Sequence, residues 1–468
     1  MSQFSHSQTQ LSGNLSSRQV TMMTIGGMIG AGLFIGSSSA IATAGPAILV
    51  SYALTGLLVF LVMRMLGEMA VMHPDSGSFS TYATKAIGPW AGFSIGWLYW
   101  WFWVLIIPVE AIAGADILHA YMPDIPSWGF AIVIMGVLTG ANLLNVKSFG
   151  EFEFWFALIK VIAILAFIAI GGMAVFGIWP LAEISGVERL YSQGGFAPNG
   201  VGAILAGILV TIFSFFGAEV VSIAAAESQN PQEKIRRATN LVIYRIALFY
   251  IVSIFLVVAL VDWNAAGLKE MGTFQYVLYV LNVPGTKFII DFVVFIAVCS
   301  CMNTGIYIAS RMLFSLATRQ DAPKSMMKLG GRSGVPSRAV VMSSVAGFVG
   351  CFANYAFPGE VFGFLLSTTG AIALLVYLVI AISQLKMRKQ LQKQGIEPSF
   401  KMWCFPWLTW VVIGLILTVL IYMFVSPDYR YETYLSVGVT LLVLFFSLIV
   451  SFKRKFKPTY LENDVTNN

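Results

Sequence analysis

Long apolar segments recur along almost the whole chain, and they constrain its fold more than any other feature. A helix needs about 20 mostly apolar residues, at about 1.5 Å each, to cross the hydrocarbon core of a bilayer. We number the segments of this kind as spans one to twelve: 20–42, 46–72, 90–119, 127–146, 152–177, 201–226, 240–262, 288–315, 338–355, 360–385, 405–425 and 432–452. The pattern predicts an all-α polytopic membrane protein with twelve transmembrane helices.

The charge distribution excludes most soluble classes of protein. Only 11% of the 468 residues are charged, whereas a soluble domain has about a quarter. We therefore expect neither a soluble enzyme nor a nucleic-acid partner, despite a net charge of +6. Of the 28 Lys and Arg residues, 20 fall in tails and loops on one side of the predicted bilayer and four on the other. This bias places both termini in the cytoplasm and explains the positive charge without an anionic partner, and the expected surroundings are the lipid bilayer.

Patterns typical of enzymes and cofactor sites are missing from the sequence. The three His and four Cys residues lack metal-ligand spacing, and we expect no disulfide. There is no phosphate-binding loop and no catalytic constellation, so we predict no cofactor, no metal and no enzymatic activity. The first residues lack a basic segment followed by a short apolar core, and a cleaved signal peptide is not expected.

Two spans contain glycine at depths where a membrane helix is normally regular. Span one has four Gly within residues 26–32, each costing about 1 kcal/mol in a helix interior. This segment is either a close helix-packing stripe or a helix break that exposes backbone groups to a ligand. Span six carries Gly217 and Glu219 in a similar setting. Because spans one and six each begin a five-span half, the pair favours broken helices and a transporter site.

Broken helices determine which ligand fits. The N-terminus of a half-helix presents N–H groups and a positive dipole end to an anion, and freed carbonyls attract a cation. Irregular backbone is tolerated within a membrane where it lines such a cavity. A zwitterion has both charges, so an amino acid is the natural substrate.

At these residues the chain resembles the amino acid–polyamine–organocation family of transporters. The motifs that carry the resemblance are GAGLF at 30–34, SGSFSTY at 76–82, GEFEFW at 150–155 and FSFFGAE at 213–219. Within that family it is most similar to the γ-aminobutyrate (GABA) permeases, through LYWWFW at 98–103 and GAIALLVY at 370–377. The resemblance implies a leucine-transporter-like 5+5 inverted repeat with broken helices one and six.

The resemblance also implies a division of the chain and a set of site residues. The expected parts are a cytoplasmic tail (1–19), a first repeat (20–178), a second repeat (201–385), helices eleven and twelve (405–452) and a second cytoplasmic tail (453–468). The expected substrate-binding residues are Met28, Ile29, Gly30, Ala31, Gly32, Phe213, Ser214 and Gly217. N–H groups near Ile29, Ala31 and Gly32 would bind the carboxylate, and carbonyls of 28–29 and 213–214 the amine. Phe213 and, with the inner loop, Tyr82 would act as gates.

Three ionisable residues inside spans are candidates for proton coupling. Lys160 lies nine residues after Glu151, about 14 Å into span five. It is either a structural pin, neutralised by carbonyls or a carboxylate, or the group that couples transport to protons. Similarity to proton-coupled relatives implies that a lysine here stands where sodium-coupled relatives bind Na⁺, and burial disfavours a charged amine. Glu219 is either a cap of the second half-helix or a proton relay, and Glu110 either a pathway carboxylate or a structural one.

Arg64 and Glu68, four residues apart in span two, are interpreted as an ion pair on a solvated face, with an inner gate as the alternative. We expect a secondary active transporter that takes up GABA or a related amino acid with protons, in the plasma membrane (the bacterial inner membrane). An α-amino acid permease or exchanger of the same family is the alternative. A non-transporting amino-acid sensor is disfavoured because no segment is long enough for a soluble output domain. Nothing in the sequence indicates an oligomeric state.

Overall fold

The structure is a computed structural model, and it describes residues 18–19, 22, 27–75, 77–144, 146–220, 222–223, 230–330, 334–357 and 361–455. The predicted cytoplasmic tails lie almost wholly outside these residues, as does the end of span six. In the described part of the chain the secondary structure consists of helices and one isolated antiparallel bridge, between Gly330 and Val335. The predicted all-α fold is confirmed.

The helix bounds follow the predicted spans closely. The longer helices are Ile48–Met72, Pro89–Tyr121, Val146–Val175, Thr286–Thr318, Ser337–Ala356, Val361–Lys393, Trp407–Val425 and Arg430–Lys455. The shorter α-helices are Ser37–Ala44, Ser78–Ala86, Ser127–Leu143, Arg189–Ser192, Gly200–Phe215, Pro231–Arg245, Ser253–Leu260, Ala266–Met271 and Thr273–Val280. π-Helical turns form at Gly32–Gly36 and Ile246–Val252, and 3₁₀ turns at Gly45–Ala47, Lys324–Met327 and Pro427–Tyr429.

Nine helices among the described residues are long and apolar enough to cross a membrane. One of them, Gly32–Met72, joins spans one and two, because the 3₁₀ turn Gly45–Ala47 replaces a loop between them. Pro46 is accommodated there because the first turn of a helix needs no N–H from that residue. Spans four and six form shorter apolar helices, of 17 and 16 residues. The number of twelve crossings stays a prediction.

Spans three and eight form the centre of the molecule. Each is a helix of 33 residues, and each buries most of its length against the other spans. Tyr99, Phe102 and Trp103 of span three are almost fully buried, as are Met302 and Tyr307 of span eight. Spans eleven and twelve instead expose many large apolar side chains, as expected of surfaces that face lipid.

The interpretation of Arg64 and Glu68 as an ion pair on a solvated face is wrong. Both side chains are buried. Arg64 donates to the carbonyl of Lys401 at 3.0 Å, whereas Glu68 forms an ion pair with Arg388 at 3.3 Å and accepts the N–H of Met402 at 2.6 Å. The two residues thus attach span two to span ten and to the loop that follows it.

Candidate functional site

Span one is interrupted at Ile29 and Gly30. The two residues before this point are helical, the chain bends at Ile29 and Gly30, and helical structure resumes at Ala31. A Cβ atom on Gly30 would lie 2.5 Å from Glu110 Oε1 and 2.9 Å from the Cβ of Cys301. The glycine-rich segment is therefore both a helix break and a point of close packing, so the two sequence interpretations apply together.

Span six is interrupted at the matching place. Its first helix ends at Phe215, Phe216 is extended, and Gly217 has a φ of +107°. A side chain at Gly217 would be strained in this conformation, and its Cβ would lie 2.5 Å from the carbonyl oxygen of Gly27. The two breaks thus touch backbone to backbone, which only glycine permits.

Tyr250 connects the two breaks. It lies on the π-helical turn Ile246–Val252 of span seven, a type of turn that often occurs at functional sites. Its hydroxyl oxygen is 2.8 Å from the carbonyl oxygen of Met28 and 2.7 Å from that of Ser214. Because a phenol has one proton, it donates to one of these carbonyls at a time.

Glu110 of span three binds the other face of the first break. Its carboxylate oxygens accept the backbone N–H of Ala31 at 3.1 and 3.3 Å, and the side chain is buried. The protein thus places one of its own carboxylates on an N–H group that the family resemblance assigns to the substrate carboxylate.

Glu219 forms hydrogen bonds at the second break. Its carboxylate accepts the N–H of Gly217, at 3.1 and 3.2 Å, and the hydroxyl of Tyr99 at 2.9 Å. These are the contacts of a carboxylate that satisfies the free N–H groups of an interrupted helix. They join Glu219 to span three rather than to Lys160.

Lys160 is fully buried and reaches the break in span one. Its ammonium nitrogen donates to the carbonyl of Ile29 and to the hydroxyl of Ser300, both at 2.9 Å. The hydroxyl of Ser300 in turn donates to Glu153 Oε2 at 2.7 Å. Lys160 therefore links span five to the break and, through span eight, to a second carboxylate.

Glu153 is a buried residue that the sequence analysis missed. It precedes Lys160 by seven residues, two helical turns, and so lies on the same face of span five. Asn303 donates to its Oε1 at 2.7 Å, and Asn142 donates to Asn303 Oδ1 at 2.7 Å. The spacing of Glu153 and Lys160 was the available signal, whereas nothing in the sequence marks Asn142 or Tyr250.

A small cavity lies between the two breaks, and several of the predicted residues surround it. Its volume is about 10 Å³, the space of about one water molecule. Residues from spans one, three, six and eight line it, among them Gly30, Gly32, Trp103, Glu110, Phe213, Ser214 and Cys301. Among the described residues, no cluster of three or more His, Cys, Asp or Glu is placed to hold a metal ion.

Tyr82 lies apart from this cavity. It is on the short helix Ser78–Ala86, and its hydroxyl donates to the carbonyl of His73 at 2.6 Å. Ser78 of the same helix shares a hydrogen bond of 2.7 Å with Ser222, just beyond the break in span six. The predicted gate residue thus lies outside the cavity, on a short helix that contacts span six through Ser78.

Sequence comparison identifies the family. The profile described as "Amino acid permease" matches residues 19–461. The chain belongs to the amino acid permease family. It is 58% identical to the gamma-aminobutyric acid permease of Escherichia coli (strain K12), over 90% of this chain and 91% of that protein. It is 50% identical to the gamma-aminobutyric acid permease of Bacillus subtilis (strain 168), over 98% of each.

Identity is lower with other members of the family. The aromatic amino acid transport protein AroP of Escherichia coli (strain K12) is 38% identical, over 93% of this chain and 94% of that protein. A solved structure of a manganese transporter from Eremococcus coleocola superposes with a TM-score of 0.59 and 12% identity, over 96% of this chain and 99% of that chain. That likeness concerns the fold alone, which is leucine-transporter-like.

Proposed function

We propose that this protein imports GABA, or a closely related amino acid, together with a proton across the bacterial inner membrane, with both termini in the cytoplasm. The observation that carries the proposal is the arrangement of the two helix breaks. Carbonyls of both breaks are bound by a hydroxyl, and an N–H of the first break by a carboxylate, at positions that the amine and the carboxylate of an amino acid would take.

The carboxylate end of the substrate would replace Glu110. The N–H of Ala31 already donates to a carboxylate, that of Glu110, at the start of the helical segment that follows the break. The dipole of that segment favours an anion at this end. Gly32 adjoins it and lines the cavity without a side chain that would fill it.

The amine end would bind the carbonyls of Met28 and Ser214, which now surround the hydroxyl of Tyr250. An ammonium has three donors, so it can satisfy both carbonyls at once, which one phenol proton cannot. The methylene chain of GABA would then lie against Phe213 and Trp103, which line the same cavity.

The contacts of Lys160 support proton coupling. A charged lysine donates to the carbonyl of Ile29, inside the break, and loss of its proton would weaken that bond. Occupancy of the substrate site and protonation of Lys160 therefore act on the same backbone segment. A purely structural role would hold span five against span one in every state of the cycle.

The test is uptake of labelled GABA by purified protein in liposomes with imposed proton and sodium gradients. We expect uptake driven by an inward proton gradient and unaffected when choline replaces Na⁺. Competition by unlabelled alanine, proline and phenylalanine reports on selectivity. A stronger effect of these amino acids than of GABA would support the α-amino acid alternative instead, and a requirement for Na⁺ would contradict proton coupling.

A further inference from the structure

Glu153, outside the substrate cavity, ends a short chain of hydrogen bonds that begins at Lys160. We propose that Glu153 accepts the coupled proton from Lys160, through the hydroxyl of Ser300, on the way to the cytoplasm. The inference rests on the proposed function and deepens it, since it identifies where the proton goes when it leaves the lysine.

The donors and acceptors in the hydrogen bonds around Glu153 follow from the partners of Asn142 and Asn303. The Nδ2 of Asn142 faces two backbone carbonyls, those of Leu138 at 3.1 Å and of Asn303 at 3.3 Å, which can only accept. The atom of Asn303 that Asn142 also contacts must therefore be its Oδ1, and the Nδ2 of Asn303 faces Glu153. Oε1 of Glu153 thus accepts from Asn303, and Oε2 faces the hydroxyl of Ser300, from which a proton can reach it.

The other end of the chain permits two proton arrangements with the same heavy atoms. In the first, the ammonium of Lys160 donates to Ser300, and Ser300 donates to Oε2 of Glu153. In the second, a proton has moved from Lys160 to the Ser300 oxygen while the Ser300 proton has moved to Oε2. One N–H bond breaks, one O–H bond forms at Glu153, and the hydroxyl is regenerated. An ammonium and a carboxylate become a neutral amine and a neutral acid.

The surroundings favour such an exchange over the escape of the proton to water. Lys160, Glu153 and Ser300 are fully buried, with exposed fractions of 0%. The titratable groups that face Lys160 are Glu153 on its own span, Glu110 on span three, and Cys299 and Cys301 on span eight; span one contributes a carbonyl. Of these groups, Glu153 is the carboxylate joined to Lys160 through Ser300.

Glu153 also lies on the side of Lys160 toward which an imported proton must move. It lies about 10 Å from Lys160 along the helix Val146–Val175 and about as far from that helix's first residue. Under the predicted topology this end faces the cytoplasm. Phe149 and Tyr307 stack at a ring distance of 4.5 Å in the next turn, and the guanidinium of Arg311 lies 3.9 Å from the Tyr307 ring. A proton on Glu153 has therefore covered half of the distance along the helix from Lys160 to Val146.

A structural role for Glu153 makes a different prediction. A glutamine side chain has the same shape, accepts from Asn303 through its oxygen and donates to Ser300 through its nitrogen, but it takes up no proton. If Glu153 only positions Ser300 and Lys160, Glu153→Gln preserves proton-driven transport. If Glu153 accepts the proton, the variant keeps its fold and loses coupling.

The experiment uses full-length protein in liposomes loaded with a pH-sensitive dye. For Glu153→Gln we expect GABA/GABA exchange close to wild type and GABA-driven proton entry lowered by about a hundredfold, the scale of a lost proton-transfer group. Glu397→Gln is the matched control, because Glu397 is exposed and pairs only with Lys401 in the described contacts. Infrared difference spectra of the wild type with GABA should show a carboxylic-acid band that Glu153→Gln lacks.

Undiminished proton entry in Glu153→Gln would overturn the inference. If that variant also loses exchange, the pair Ser300→Ala and Ser300→Thr decides, because it leaves both charges in place. Ser300→Ala should lose proton entry and Ser300→Thr restore it, and proton entry through Ser300→Ala would overturn the path. Absence of GABA-driven proton entry in the wild type would instead contradict the proposed coupling itself, before any variant is compared.

Discussion

At the scale of single residues, the two helix breaks are satisfied by groups from other spans. The hydroxyl of Tyr250 serves two carbonyls, and the carboxylate of Glu110 serves one N–H group. Buried backbone groups are costly to leave without partners. A substrate that displaces these side chains must therefore replace their hydrogen bonds. Its affinity then depends on how well its amine and carboxylate atoms form those bonds.

Removal of the Tyr250 hydroxyl should lower the stability of the substrate-free protein more than that of the complex with substrate. Tyr250→Phe leaves the carbonyls of Met28 and Ser214 without this donor, at a cost of about 1–3 kcal/mol, until an amine binds them. We expect a lower melting temperature without GABA and a larger rise in melting temperature on addition of GABA. Tyr244→Phe, an exposed tyrosine of the same span, is the control. Equal GABA-induced shifts in Tyr250→Phe and wild type would contradict this role.

Gly32 tests whether the backbone near the first break must stay uncovered. A Cβ atom there would lie 2.9 Å from the Phe213 ring and 3.1 Å from Cα of Ser214. Overpacking of this kind costs about 1–3 kcal/mol, and the branched side chain would occupy the path of the carboxylate. Gly32→Val should therefore reach the membrane at normal levels but lose GABA uptake. Gly36→Ala, whose Cβ would meet only the carbonyl of Ala31 at 3.8 Å, should transport normally.

At the scale of elements, the break in span six depends on a glycine and on a carboxylate. The left-handed conformation of Gly217 lets the backbone of span six approach that of span one. Glu219 then accepts the N–H group that the break leaves free. The N–H of Gly217 therefore has a partner although the helix is interrupted at this point.

This geometry predicts that Glu219 serves the helix break rather than the proton path. Glu219→Gln keeps an oxygen acceptor for Gly217 and Tyr99, so it should retain most proton-driven GABA uptake. Glu219→Ala leaves the N–H of Gly217 without this partner, and we expect a loss of about 1–3 kcal/mol in stability together with reduced uptake. The measurements are thermal stability and uptake of both variants. Abolished proton-driven uptake in well-folded Glu219→Gln would favour the relay interpretation.

At the scale of the whole molecule, Lys160 connects spans of the two predicted repeats, and in inverted-repeat transporters one repeat or bundle moves against the other. It belongs to span five, donates to the break in span one, and bonds to span eight through Ser300. Replacement of the charged end by an apolar one would leave Glu153 without its cationic neighbour. A single substitution of Lys160 is therefore expected to alter the transport cycle and not only the local fold.

We expect Lys160→Met to abolish concentrative uptake and to leave GABA/GABA exchange. The apolar side chain fills similar space but neither carries a proton nor donates to the carbonyl of Ile29. Uptake and exchange should be measured on the same liposomes, after a check that the variant is monodisperse. Concentrative uptake by folded Lys160→Met would show that Lys160 is not the coupling group, whereas a variant that fails to fold would favour the structural pin.

The sequence by itself determined the class of fold and the place of the two breaks. Backbone groups inside a bilayer must be satisfied within the segment, so long apolar segments have to be helices. The four glycines within 26–32 and the single Gly217 weaken a helix locally, and this effect depends only on residues that are neighbours in the sequence. The residues around both breaks could therefore be named before the structure was known.

The tertiary structure alone decided which side chains meet at those breaks. Tyr250 and Asn142 lie in segments with no local pattern to distinguish them, and the hydrogen bonds of Lys160 join residues 131 and 140 positions away in the chain. The same applies to Glu68, which pairs with Arg388 rather than with its neighbour Arg64. Such contacts depend on how whole helices pack, because hydrogen bonding between side chains requires an approach within about 3 Å that sequence spacing specifies only within one helix.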